Sequence, residues 1–321
     1  MDNVNIQKLV EISKMYYEQG MTQENIAKEF RISRSAVSML LTEAKNSGII
    51  RIEIKDPSEN NEELGKKIEK AFGIERCIAV PSGTYSEQIQ IRLTTAQAIR
   101  LAKELMTSHS CMGIAWGNAC HEFMKNFPSD TSLCDITVVP MVGMSPALTS
   151  EYQLNSVVRE FAEKVRGIPH YMYAPGLVET LEDKRRIESS DYMTTIFDLW
   201  QNLDFAVLGI GSVKGFESAR AGSRTQLEDL RKYPEKAVGE ICARRLDIRG
   251  RFIDNDFNRK LISVTAEELL KTKKVMAIAA GTRKVLPVIG ALRTGIIKYL
   301  VTDEITANAV LELVESGMLP E

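Results

Sequence analysis

The chain has 321 residues, of which 44% are hydrophobic and 26% charged, and a formal net charge of −2. This is the balance of a globular protein with two or more domains. It argues against a surface that binds nucleic acid regardless of sequence, and no apolar run approaches the roughly 20 residues of a membrane span. The opening MDNVNIQKLV lacks the basic start and apolar centre of a signal peptide. The five cysteines (Cys77, Cys111, Cys120, Cys134, Cys242) are scattered, with no CxxC pair. They read as reduced residues of a cytoplasmic protein without a zinc site or other cofactor.

In chain order, an amphipathic helix is predicted over 6–19, ending at Gly20, a suitable C′ residue. The phrase TQENIAKEFRISRSAVSMLL follows at 22–41 and predicts two short helices joined by a tight turn. Thr22 and Ser33 are placed as N-caps. Ile26, Ala27 and Phe30 form one apolar face, and Ile32, Val37, Leu40 and Leu41 the other. Arg34, Ser35, Ser38 and Met39 stay outward near the start of the second helix, the end that meets base edges in a helix-turn-helix. Gln23 opens the first helix, where a phosphate contact is expected. The first 55 residues hold eight Lys/Arg against seven Asp/Glu. Phosphate contacts per head are therefore few, and paired heads on a repeated or palindromic site are expected.

A strand over 49–54 and a charged linker from Lys55 with Pro57 close this unit, which gives a DNA-binding domain over 1–56 and a second domain over 57–321. Strands are then predicted over 76–81, 111–116, 135–143, 170–175, 205–211, 273–281 and 296–303. Helices alternate with them over 62–71, 86–107, 120–127, 150–165, 181–201, 283–293 and 304–317. Short apolar strands alternating with helices indicate an α/β fold with a mostly parallel sheet covered on both faces.

Ligands of such sheets bind beyond the carboxyl ends of the strands. Glycine and small polar residues gather there: Ser82, Gly83 and Thr84; Gly117 and Asn118; Gly143; Gly209, Gly211 and Ser212; Gly281 and Thr282. Such turns suit a polar or phosphorylated small ligand. His109, His121 and His170 form no Ser/His/Asp constellation, and GIGS is not a complete dinucleotide fingerprint. No catalytic residues are assigned.

The phrases MYYEQGMTQENIAKEFRISRSAVSMLL, GIAWGNA, VVPMVGM, NLDFAVLGIGSV, VGEICARRLDIRGRFID and AIAAGTRKVLPVIGALRTGIIKYLVTDEITA resemble, nearly end to end, the SorC family of bacterial sugar-responsive transcriptional regulators. The resemblance implies an N-terminal helix-turn-helix and an effector domain similar to sugar-phosphate isomerases and deaminases. It also implies a dimer of dimers whose binding to operator DNA changes with a sugar or sugar phosphate. By the same resemblance, Asp247 would accept hydrogen bonds from sugar hydroxyls, and Lys284 would neutralise a phosphate or polar group. Gly117, Asn118 and Ala119 would cradle the other end of the ligand. Gly143 and Gly211, from the turns at the strand ends, are expected to line the same site. Asn118 and Ala119 stand where many relatives have hydroxyl residues, Ala280 replaces a glycine, and no lysine is placed for Schiff-base capture. The expected function is sugar-modulated control of a carbohydrate-utilisation operon; the alternative is an isomerase- or deaminase-like enzyme carrying a DNA-binding module.

Overall fold

The computed structural model describes residues 3–50, 61–83, 86–130, 132–145, 153–213 and 235–320. The chain divides into two compact units, Met1–Pro57 and Ser58–Glu321.

Among the described residues, the first unit holds three helices: α1 (Asn3–Tyr17), α2 (Gln23–Phe30) and α3 (Arg34–Asn46). Local chemistry sets their ends. Thr22 Oγ1 accepts the Asn25 N–H at 3.2 Å and Ser33 Oγ accepts the Ala36 N–H at 3.1 Å, each meeting a donor the helix leaves open. Between them Arg31 adopts the left-handed conformation, φ 54°, and donates its N–H to the Ala27 and Lys28 carbonyls. Ile12, Met15, Ile26, Ala27, Val37 and Leu41 close into the core of this unit. The strand expected over 49–54 falls mostly outside the described residues.

The second unit begins with α4 (Glu62–Phe72), β1 (Arg76–Val80), α5 (Glu87–Leu105), β2 (Cys111–Ile114), α6 (Asn118–Asn126) and β3 (Thr137–Pro140). It continues with α7 (Leu154–Lys164), β4 (Ile168–Pro169), α8 (Leu181–Glu188), α9 (Asp191–Gln201) and β5 (Phe205–Ser212). After β6 (Gly239–Ile241) and β7 (Arg244–Leu246) come α10 (Asp256–Arg259), α11 (Ala266–Lys271) and β8 (Lys274–Ala279). A 3-10 turn, Thr282–Lys284, then leads into α12 (Val285–Arg293), β9 (Tyr299–Asp303) and α13 (Glu304–Glu315).

The main sheet has the order β1-β9-β8-β5-β2-β3-β4 and is parallel throughout. Ile114, Val138, Val139, Ala206, Val207, Leu208, Val275, Met276, Ala277, Leu300 and Val301 are all buried. Strands covered on both faces read as continuous apolar runs, which is why they are legible in the sequence. From β2 the chain steps outward through β3 and β4, then returns to place β5 on the other side of β2. The order therefore reverses between β2 and β5, and a crevice opens at their carboxyl ends.

Two elements depart from the expectation. Residues 170–175 are not a continuous strand; the ladder ends at the two-residue β4, and Pro175 pairs again in an isolated parallel bridge to Met144. Asn155 takes over the next backbone groups, accepting the Met172 N–H and donating to the Met172 carbonyl, both at 3.0 Å. Pro175 has no N–H to continue a ladder. Conversely, β6 and β7 form an antiparallel hairpin off β5 that the sequence does not announce. Its turn puts Cys242 and Ala243 at φ 49° and 63° without the usual Asn or Gly.

Candidate functional site

The outer face of α3 is the first candidate surface. Packing of Val37, Leu41 and Ala44 inward leaves Arg34, Ser35, Ser38 and Met39 exposed on the opposite side, with Met39 69% exposed. Ser35 Oγ lies 2.9 Å from Ser33 Oγ, so the N-cap fixes one polar side chain of the first turn. Gln23, at the first position of α2, is half-buried. A solvent-facing turn with one guanidinium, two hydroxyls and a thioether can offer both hydrogen bonds and apolar contact to base edges.

In the second unit a cavity of about 550 Å³ opens where the strand order reverses. Its wall draws on the turn after β2 (Trp116, Gly117, Asn118, Ala119), the end of β5 (Gly209 to Ser212) and the end of β8 with its turn (Ile278, Ala279, Ala280, Arg283, Lys284). Glu87 and Ile91 from α5, Ser145, and Glu240, Cys242 and Ala243 from the hairpin add to it. Helix α6 begins at the cavity with Gly117 as its N-cap and no side-chain cap bond, so its first N–H groups are available to oxygen acceptors.

Lys284 Nζ donates to the Ile210 carbonyl at 2.8 Å, which ties the 3-10 turn to β5. Across the mouth, Arg283 Nη2 donates to both carboxylate oxygens of Glu87, at 2.6 and 2.7 Å. Burial pushes the Glu240 carboxyl above the ordinary carboxylate range, partly offset by Arg245 and Lys284. Gly211 makes that placement possible: a Cβ there would lie 2.4 Å from Glu240 Cγ. The Trp116 indole nitrogen is buried with no hydrogen-bond partner among the described residues.

Gly117, Asn118, Ala119, Gly211 and Lys284 thus meet in one wall, while Gly143 and Asp247 are outside it. Gly143 donates its N–H to the Ile262 carbonyl at 3.0 Å, and Ser145, two residues on, reaches the cavity instead. The Asp247 side chain is 3% exposed. Its Oδ1 accepts the Arg249 and Arg251 N–H groups and its Oδ2 the Arg251 guanidinium, all at 2.9 Å. That carboxylate is engaged by its own turn and does not line the cavity among the described residues, where the resemblance had implied a ligand-facing place. Glu240, seven positions earlier, lines the wall instead, as Glu87 does from α5. Only the hairpin brings Glu240 there, and the local sequence gives no turn signal for that hairpin.

At the opposite, amino-terminal ends of the strands, His109, Cys134 and Asp135 bring donor atoms within 4.8 Å of one another. His109 and Asp135 are exposed, and three such donors fall short of the closed four-ligand set of a structural zinc site.

A helix-turn-helix unit followed by an α/β unit with a polar crevice at its switch point defines a ligand-responsive transcriptional regulator. The putative sugar-binding domain profile matches residues 56–312, and sigma-70 region 4, a helix-turn-helix region, matches residues 11–46. The chain is 29% identical to the sorbitol operon regulator of Klebsiella pneumoniae over 310 residues, covering 96% of this chain and 98% of the relative. It is 25% identical to the deoxyribonucleoside regulator of Bacillus subtilis (strain 168), covering 97% and 99%. The crystal structure of the full-length K. pneumoniae regulator SorC superposes with a TM-score of 0.75, covering 97% of this chain and 99% of that one. The probable sor operon regulator from Shigella flexneri gives 0.68 at 26% identity, covering 77% and 98%. The chain belongs to the SorC family of sugar-binding transcriptional regulators. These relatives are regulators, not enzymes.

Proposed function

We propose that this protein is a cytoplasmic regulator of a carbohydrate-utilisation operon, and that a sugar or sugar phosphate bound in the switch-point cavity alters its affinity for operator DNA. Residues 1–56 form the DNA head; residues 57–321 bind the effector and assemble the oligomer, a dimer of dimers. The observation that carries this reading is the cavity itself, in a chain whose first unit presents the α3 face. Glu240 accepts sugar hydroxyl donors, the α6 N–H groups at Gly117, Asn118 and Ala119 donate to ligand oxygens, and Lys284 holds the third side. Gly211 keeps the space open for Glu240, while Asp247 shapes a supporting turn.

On DNA, Arg34, Ser35, Ser38 and Met39 face base edges and Gln23 meets a phosphate. Effector binding acts by population shift: it favours one arrangement of subunits, and so one spacing of paired heads. Thermal unfolding across a panel of free and phosphorylated sugars tests the effector half, since a ligand specific to the folded state raises the melting temperature. At least one member is expected to do so; a flat response across the panel would refute the effector role.

A further inference from the structure

Among the described residues, the cavity wall holds two cations, Arg283 and Lys284, and two carboxylates, Glu87 and Glu240. The cations are already engaged: Arg283 by both oxygens of Glu87, Lys284 by the Ile210 carbonyl. Glu87 stands in the first turn of α5, beside the turn after β8, where a Cβ on Gly281 would lie 3.8 Å from Glu87 Oε1. An anion entering at this turn meets a carboxylate already holding the guanidinium it needs.

A phosphate monoester carries about −1.5 to −2 charges near neutral pH and binds best to a planar guanidinium fork. A phosphate seated at the turn after β8 would have to take Arg283 from Glu87 and leave that carboxylate beside it as a like charge. Sugar hydroxyls face no such contest, because carboxylates accept from them. The Glu87–Arg283 pair is half-exposed on both sides, so its own strength is modest. What discriminates is the carboxylate's position, which opposes a second anion whether or not the pair stays closed.

We infer that Glu87 is a selectivity residue that sets the cavity for an uncharged sugar or polyol over its phosphate ester. The inference rests on the cavity being the effector site.

The test uses the full chain, its Glu87→Gln variant and the Glu87→Gln/Arg283→Gln double variant, titrated calorimetrically with matched probes. The probes are D-sorbitol and D-sorbitol 6-phosphate, D-ribose and D-ribose 5-phosphate, erythritol and erythritol 4-phosphate, and inorganic phosphate alone. The wild type is expected to bind a free probe at least about tenfold tighter than its ester. Glu87→Gln is expected to move that ratio about tenfold towards the ester and to create binding of inorganic phosphate, and Arg283→Gln is expected to remove both gains. Tighter binding of an ester by the wild type, a ratio unmoved by Glu87→Gln, or gains that survive Arg283→Gln would each overturn the inference while leaving the effector site intact. The wild-type ratio alone still tests the preference if a variant fails to fold. Binding of no probe by wild type or variants would overturn the effector-site reading, and this inference with it.

Discussion

Asp303, the last residue of β9, accepts the backbone N–H of Gly281 at 2.6 Å through Oδ2. The same buried carboxylate caps α13, taking the Thr306 N–H at 2.9 Å and the Thr306 hydroxyl at 2.6 Å. One side chain therefore fastens the cavity turn after β8 to the start of the last described helix. Replacing it with alanine strands the Gly281 N–H and leaves the α13 N-terminus uncapped. Asp303→Ala is expected to cost about 2–3 kcal/mol in urea unfolding, since hydrogen bonds to charged groups are worth about 1.5–3 kcal/mol. It should also weaken any sugar that stabilises the wild type; an unchanged midpoint would show that the turn is held by other contacts.

Glu240 links pH to stability. Burial raises its folded-state pKa above the ordinary 4.5, so the folded protein holds this proton to higher pH than the unfolded chain does. The favourable contribution is present in full below the unfolded value and is lost as pH rises through the folded one. Glu240→Gln is therefore expected to melt above wild type at pH 7.5 and close to it near pH 4, while losing sugar binding. Equal melting temperatures at both pH values would place the charge in a better-solvated setting than the structure shows.

In the head, Arg34→Ala is expected to cost about 1–3 kcal/mol against the preferred base and to relax choice at one half-site position. Selection from randomised half-sites reads this; a uniform loss over all sequences would make Arg34 a phosphate contact. Arg31 carries a different expectation. Its left-handed conformation costs a non-glycine residue about 1–2 kcal/mol, so Arg31→Gly should raise the stability of the unit. Denaturant unfolding without DNA isolates the backbone effect.

The cysteines give a chemical check on the core. Burial pushes the thiols of Cys77 and Cys120 up, and those of Cys111 and Cys242 up to about 12. Cys134 is the one cysteine not fully buried. A disulfide-exchange reagent at pH 8 is expected to titrate one thiol rapidly in the native protein, absent from Cys134→Ser, and the rest only on unfolding. Two fast thiols in the native protein would mean that the cavity admits the reagent to Cys242.

Local chemistry explains what is legible in the sequence. Thr22 and Ser33 cap their helices because capping needs only a hydroxyl three residues before a free N–H. The buried strands announce themselves because parallel sheets bury both faces. The hairpin is hidden because Cys242 and Ala243 take left-handed conformations that turn-forming residues normally mark, and tertiary packing of β6 against β5 compels them. That concealment hides Glu240 as a residue of the cavity wall, while the carboxylate of Asp247 is engaged by Arg249 and Arg251. The Glu87–Arg283 pair, 196 positions apart in the chain, has no local signature at all.

Fluorescence anisotropy reads whether occupancy of the switch-point cavity changes DNA affinity. The full chain is bound to DNA that it has itself selected from a random pool, and the sugar that most raises its melting temperature is titrated in. Coupling of about 1–3 kcal/mol predicts a roughly 5- to 150-fold change in DNA Kd at saturation, abolished by Glu240→Gln. A Kd that stays constant while the sugar saturates the cavity would contradict the account.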